Sequence, residues 1–143
     1  MKTAESIHRR RCESRRSGVA TIEFALVLPA LVALTIGTID ICSMLFLKES
    51  TTLAAYEGAR RGVARDRTNA DATARVMEFL DDRGIQYSGA NVVTFGSPSF
   101  DDADTLEHVT ITVNVPAAGN LLIPSQMFGD MTLSANVTMR KEY

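Results

Sequence analysis

The sequence has little cysteine, little histidine and none of the short motifs that mark a catalytic site. Its two cysteines, Cys12 and Cys42, lie in a basic leader and in an apolar run, so they build no disulfide framework. Were the leader removed, Cys42 would stand alone as a small hydrophobe in a helix. No CxxC is present, and the two histidines, His8 and His108, stand far apart, so no metal site is suggested. GxSxG, a Walker loop and HExxH are all missing. His108 falls on the polar face of a predicted strand, where a solvated histidine is the default. These absences point away from an enzyme and from a cofactor.

Charge is scarce where the chain is apolar and uneven elsewhere. Residues 1–18 carry six bases against two acids, which leaves nine bases and fifteen acids for residues 19–143. A basic leader before an acidic body indicates topology or targeting rather than nucleic-acid binding. The remaining bases of note are Arg60, Arg61, Arg65 and Arg67, along one predicted helix.

What the sequence does have is a long apolar run. Ile22 to Leu47 is 26 residues, roughly 39 Å of helix at 1.5 Å per residue. About 20 residues suffice to cross a bilayer, so residues 19–47 are expected to be a transmembrane helix. A secretory signal peptide has a shorter apolar region and ends at a small-x-small site, whereas this run ends in Leu47-Lys48-Glu49. The nearest charges are the arginines before Val19. They place the amino terminus inside and the carboxyl terminus outside. Residues 1–18 read as an irregular cytoplasmic leader.

Beyond the run, residues 48–67 are expected to extend the helix. Leu53, Tyr56, Ala59 or Arg60, and Val63 fall at helical spacing. Gly58 and Gly62 thin one face and would allow close packing, although such spacing also arises by coincidence. Residues 68–143 are expected to form a small extracytoplasmic domain. A second helix is predicted over Asn69–Arg83, capped by Thr68 or Asn69, with Asp71 in its first turn and Gly84 as its stop. Its apolar stripe is Ala72, Val76, Phe79 and Leu80. Strands are predicted at Asn91–Phe95, Glu107–Val115 and Met131–Met139. The last two alternate cleanly, which indicates an antiparallel sheet with one buried face. Asp101–Asp104 reads as loop. The connector 117–130 is unusually apolar at Leu121, Leu122, Ile123, Met127 and Phe128, and is expected to cover the protein's own core. The fold class is therefore α+β, membrane-anchored, with a long amino-terminal helix, a second helix and a small antiparallel sheet.

Two acids are out of place. An ionised side chain at mid-bilayer costs roughly 2.5–3.5 kcal/mol on insertion scales, and Glu23 and Asp40 lie in or beside the apolar helix. Each is either an interfacial acid or one that finds a partner on a neighbouring subunit.

Arg15-Arg16-Ser17-Gly18 followed by Val19-Ala20-Thr21-Ile22-Glu23-Phe24 and an apolar run resembles a prepilin signal. The resemblance implies cleavage between Gly18 and Val19 by a prepilin peptidase. It also implies that Glu23, fifth in the mature chain, pairs with the new amino terminus of an adjacent subunit. Glu23-Phe24-Ala25-Leu26, Leu28-Pro29 and Gly37-x-x-Asp40 further resemble the membrane helix of the TadE-like family of tight-adherence (Tad, Flp) pilus systems. Ala54-Ala55 with Glu57-Gly58-Ala59-Arg60-Arg61 resembles that family's second signature. Val19 departs from the phenylalanine or methionine usual after the cut in type IVa pilins.

This resemblance implies a pilin-like fold and a minor pseudopilin that assembles or stabilises the pilus. The implied partners are the prepilin peptidase, other Tad pseudopilins, the Flp pilin, an inner-membrane assembly platform and the bilayer itself. Two alternatives stand beside it: an uncleaved single-pass anchor presenting a binding domain, and a pseudopilin of a type II secretion machine. Pro29 removes one helical hydrogen bond, and with Gly37 it makes the membrane segment bendable. It serves either as an aid to extraction from the bilayer or as a static kink.

Overall fold

Helix-forming residues dominate the first half of the chain, and one helix carries them. A computed structural model describes the backbone of residues 3–87, 89–121 and 131–142, with side chains from Gly18 onward except Ala90. Helix α1 spans Thr3–Gly62 and α2 spans Asn69–Asp82. Three strands follow: β1 (Val93–Phe95), β2 (His108–Pro116) and β3 (Thr132–Arg140). The expected α+β architecture, with its long apolar helix, second helix and small antiparallel sheet, is what the chain adopts. Two differences concern α1. The leader is helical from Thr3 rather than irregular, because its arginines and glutamates are good helix formers joined to an existing helix that removes the nucleation penalty. At the other end α1 stops at Gly62 instead of running to Arg67. Ala64 N–H bonds Arg61 O, tightening the last turn, and Asp66 takes a positive φ of 58°, which helical backbone does not allow.

The chain forms two compact units, Met1–Thr38 and Ile39–Tyr143. In the first, every described side chain from Val19 to Ile36 is exposed. Thr35 and Thr38 donate their hydroxyls to the carbonyls of Leu31 and Leu34, each at 2.8 Å. Their polar atoms are thus satisfied inside the helix itself.

In the second unit, α1 contributes a stripe of small residues to the core. Ser50, Thr51, Ala54, Ala55 and Ala59 are fully buried, and Leu47 nearly so. The larger residues that share helical spacing lie elsewhere: Leu53 and Tyr56 are exposed. Small side chains let neighbouring elements come close, and Gly58 is where this matters most. A Cβ built there would collide with Val76 of α2 and lie 3.1 Å from Ile111 Cδ1 of β2, so α1, α2 and the sheet meet at that point. The pairing of Gly58 and Gly62 is therefore close packing, not coincidence.

Helix α2 forms as its sequence dictates. Thr68 accepts a bond from Asp71 N–H, and Asp71 in return accepts from Thr68 N–H at 3.0 Å, a complete capping box. Ala72, Val76 and Leu80 are its buried stripe. Gly84 follows with φ of +64°, a left-handed stop suited to glycine. The Thr68 backbone N–H and hydroxyl, and Arg67 beside them, hold the Asp71 carboxyl below its ordinary value. Its contribution is therefore complete above the unfolded value of about 3.9 and is lost as pH falls through the lower folded value. Asp71→Asn should flatten the acid limb of the stability profile below about pH 4 and leave its slope near neutrality unchanged, as read by denaturant midpoints across pH.

The sheet order is β1-β2-β3, all antiparallel, with Val113 opposite both Val93 and Ala135. Val109, Ile111, Val113 and Val115 are fully buried and Leu133 and Ala135 nearly so, so the inner face is the one that period-two alternation indicated. On the outer face the Thr110 and Thr138 hydroxyls bond at 2.8 Å. The first strand is shorter than expected, since a 3₁₀ turn takes Gly89–Asn91. The loop between β1 and β2 is an anchored element. Phe100 is fully buried, meets Phe95 edge-on at 5.7 Å and lies against Gly62. Asn69 clips this loop to α2 by accepting from Phe100 N–H at 3.0 Å and donating its own N–H to Asp101 at 3.1 Å. Lys141 Nζ donates to the carbonyls of Phe100 and Ala103. In the 117–130 connector, Leu121 packs on the core; residues 122–130 lie outside the described residues.

Candidate functional site

Chemistry in this chain would sit in two places, one in each unit. The first is the start of the apolar stretch. Gly18 is exposed, and a Cβ added there would meet nothing within 4 Å. Its glycine is not required by packing among the described residues. Val19 is 57% exposed and Phe24 60%. Glu23 is exposed on the same helix, with no ion-pair partner among the described residues. Pro29 sits inside α1 without ending it; its missing N–H leaves the Ala25 carbonyl without its helical donor. Gly37 has open space around it. Asp40 differs from Glu23: it is only 3% exposed, so its own chain buries it, where the sequence indicated headgroups or a neighbouring subunit.

The second place is the Glu57–Arg60 signature, near the end of α1. Its four residues divide their roles. Gly58 admits Val76 and Ile111, and Ala59 is fully buried. Glu57 faces α2, where its carboxylate lies 3.6 Å from the Arg75 guanidinium. Arg75 also pairs with Glu78 at 2.9 Å, and that bond leads the causes that raise its pKa further. Arg60 is exposed beside Arg61, and both line an open charged cleft with Asp71, Ala74, Arg75 and Glu78. Glu57 and Gly58 therefore meet α2, Ala59 is buried in the core, and Arg60 is presented outward. Among the described residues no cluster of side chains could hold a metal ion.

Both places lie on one stretch of helix, from the open glycine to the outward arginine. Residues 18–60 match the model of the TadE-like protein family. The TadE-like resemblance is thus shown over the stretch bounded by Gly18 and Arg60, and it associates the chain with the Tad pilus. No curated protein and no solved structure matches. The TadE-like stretch contains the apolar helix and the glycine that receives α2; α2 and the sheet lie outside the match. Within it, α1 is long and apolar enough over Gly18–Gly62 to cross a membrane, consistent with a single-pass anchor.

Sequence reading missed three residues that the structure brings forward. Phe100 is the largest fully buried side chain, yet it sits among aspartates that read as loop. Arg75 bridges the two helices, and only its spacing to Glu78 is local. Arg83 ends α2 with its guanidinium 4.5 Å from the centroid of the Phe79 ring and 5.9 Å from that of Phe46. A base just before a glycine stop was the available clue for Arg83.

Proposed function

We propose that this chain is a minor pseudopilin of a Tad (Flp) pilus, anchored in the inner membrane by residues 19–47 and cut between Gly18 and Val19 by a prepilin peptidase. The observation that carries the proposal is the TadE-like match beginning at Gly18 and running through Glu23. The geometry supports it. An exposed glycine, with no described residue within 4 Å of an added Cβ, suits recognition by a processing enzyme. A helix exposed on all sides from Val19 to Ile36 requires lipid or other apolar helices around it.

Cleavage would create an ammonium inside or beside the bilayer, where an unpaired charge is costly. The Glu23 carboxylate of a neighbouring subunit would compensate it. That pairing makes subunit addition dependent on a cut chain. Residues 48–143, with their charged cleft and outward Arg60, would then face the other Tad pseudopilins and the Flp pilin outside the cytoplasm.

The test is the amino-terminal sequence of the membrane-extracted protein. Val19 is the expected first residue; Met1 would mean an uncleaved anchor. Gly18→Trp should leave a full-length precursor. Glu23→Ala should still be cut yet give few or no pili. Normal piliation in Glu23→Ala cells would reduce Glu23 to an interfacial acid.

A further inference from the structure

The end of the apolar run and the underside of the folded unit share one uncompensated cation. Arg83 lies at the last turn of α2, and its Nη1 donates to the buried Ser50 hydroxyl at 3.0 Å. Its guanidinium is also near the rings of Phe79 and Phe46. Cation–π contacts and a neutral hydroxyl orient this charge without cancelling it. Among the described residues no carboxylate pairs with it. The nearby Asp81 is engaged by the Tyr87 hydroxyl at 2.9 Å.

The position of this arginine along α1 is what makes it informative. Phe46 is the penultimate residue of the apolar run, and Ser50 is four residues further, roughly 6 Å along the helix. Arg83 therefore stands at the level where the apolar run gives way to Lys48 and Glu49. It borders a cleft whose one wall is Cys42, Ser43, Phe46 and Leu47, and whose other is Arg83, Gly84, Ile85 and Asn120. One wall belongs to the apolar run; the other carries a fixed positive charge. Phe46 remains 56% exposed, so the ring is open to a ligand.

We infer that this cleft holds the headgroup of an anionic phospholipid, with the phosphodiester on Arg83 and the first acyl carbons along the exposed Phe46 ring. Arginine presents a fork of donors that matches a phosphate oxyanion. Such a site would seat the folded unit against the outer leaflet. It rests on the reading of residues 19–47 as a membrane span.

The test uses the full chain reconstituted into vesicles of phosphatidylcholine, alone or doped with phosphatidylglycerol, then released for native mass spectrometry. Wild type should retain phosphatidylglycerol over phosphatidylcholine by about tenfold, the equivalent of ~1.4 kcal/mol. Arg83→Gln should abolish the preference. Phe46→Ala, at an exposed position that leaves the Arg83–Ser50 bond in place, should weaken it. Arg65→Gln removes an exposed cation in the turn that follows α1 and should change nothing. Equal retention of both lipids by wild type, or an equal loss in Arg65→Gln, would overturn the site in favour of none or of net charge alone. Displacement of phosphatidylglycerol by inorganic phosphate would overturn the lipid assignment, since the apolar wall would then play no part. A chain that fails to enter vesicles at all would instead sink the membrane span.

Discussion

Gly58→Leu should cost the folded unit about 3 kcal/mol, at the upper end of what overpacking imposes, and lower its melting midpoint by more than ~10 °C. The reason is geometric. The first added carbon already collides with Val76 and lies 3.1 Å from Ile111 Cδ1 and 3.4 Å from the Ala72 carbonyl. Val76 is stiff about its one side-chain torsion, and the carbonyl belongs to a helix backbone, so neither yields cheaply. Even Gly58→Ala should lose stability, although alanine is favoured over glycine in a helix by about 1 kcal/mol. Tyr56→Ala, on the exposed face two residues away, should stay within about 0.5 kcal/mol of wild type. The measurement is a denaturant titration of the detergent-solubilised full chain, with slopes compared to confirm one transition. Wild-type stability in Gly58→Leu would mean that α2 does not pack at this point. The expected loss assigns the glycine of the Glu57–Arg60 signature to packing, and leaves Arg60 as the signature residue free to act outward.

Local interactions were legible in the sequence, and distant ones were not. The cap of α2 is written in Thr68 and Asp71, three residues apart, and its stop in Gly84. The buried faces of β2 and β3 follow from alternation, because a strand has no other way to divide its side chains. The failure on α1 has a specific cause. Hydrophobic periodicity weights large residues, so it picked out Leu53 and Tyr56 beside Ala59 or Arg60 and Val63. The folded unit chose Ser50, Thr51, Ala54, Ala55, Gly58 and Ala59, because the close approach of two elements selects for small volume rather than for hydrophobicity. Phe100 was hidden for a related reason. Its neighbours Asp101 and Asp102 belong to a turn, and besides Phe95 the contacts that hold it come from Asn69 and Gly62, more than thirty residues earlier in the chain. At the candidate processing site the case is reversed. Gly18 and Glu23 were read from a motif, and the structure shows them exposed; the processing and pairing proposed for them would bring other molecules to these positions.

Phe100→Ala is expected to be the most damaging single change outside α1, at about 3–5 kcal/mol. The ring is fully buried and holds three elements together at once: the β1–β2 loop that carries it, Phe95 at its edge, and Gly62 at the last turn of α1. Its loss would leave a cavity that the clips from Asn69 and Lys141 prevent the loop from collapsing into. A second substitution separates this account from a general sensitivity of the loop. A Cβ on residue 62 would lie 2.7–2.8 Å from three atoms of the Phe100 ring, so Gly62→Ala alone should destabilise. In the Phe100→Ala background the obstruction is gone, and the same substitution should become neutral or stabilising by up to about 1 kcal/mol, through helix propensity alone. That reversal of sign, measured by a double-mutant cycle of denaturant midpoints, requires direct contact between the two positions. If Gly62→Ala stayed equally destabilising in both backgrounds, the glycine would be serving the termination of α1 and not the ring. The distinction bears on function. A helix end pinned by Phe100 fixes the direction in which Arg60 and Arg61, in the same last turn, face the subunits proposed to surround them.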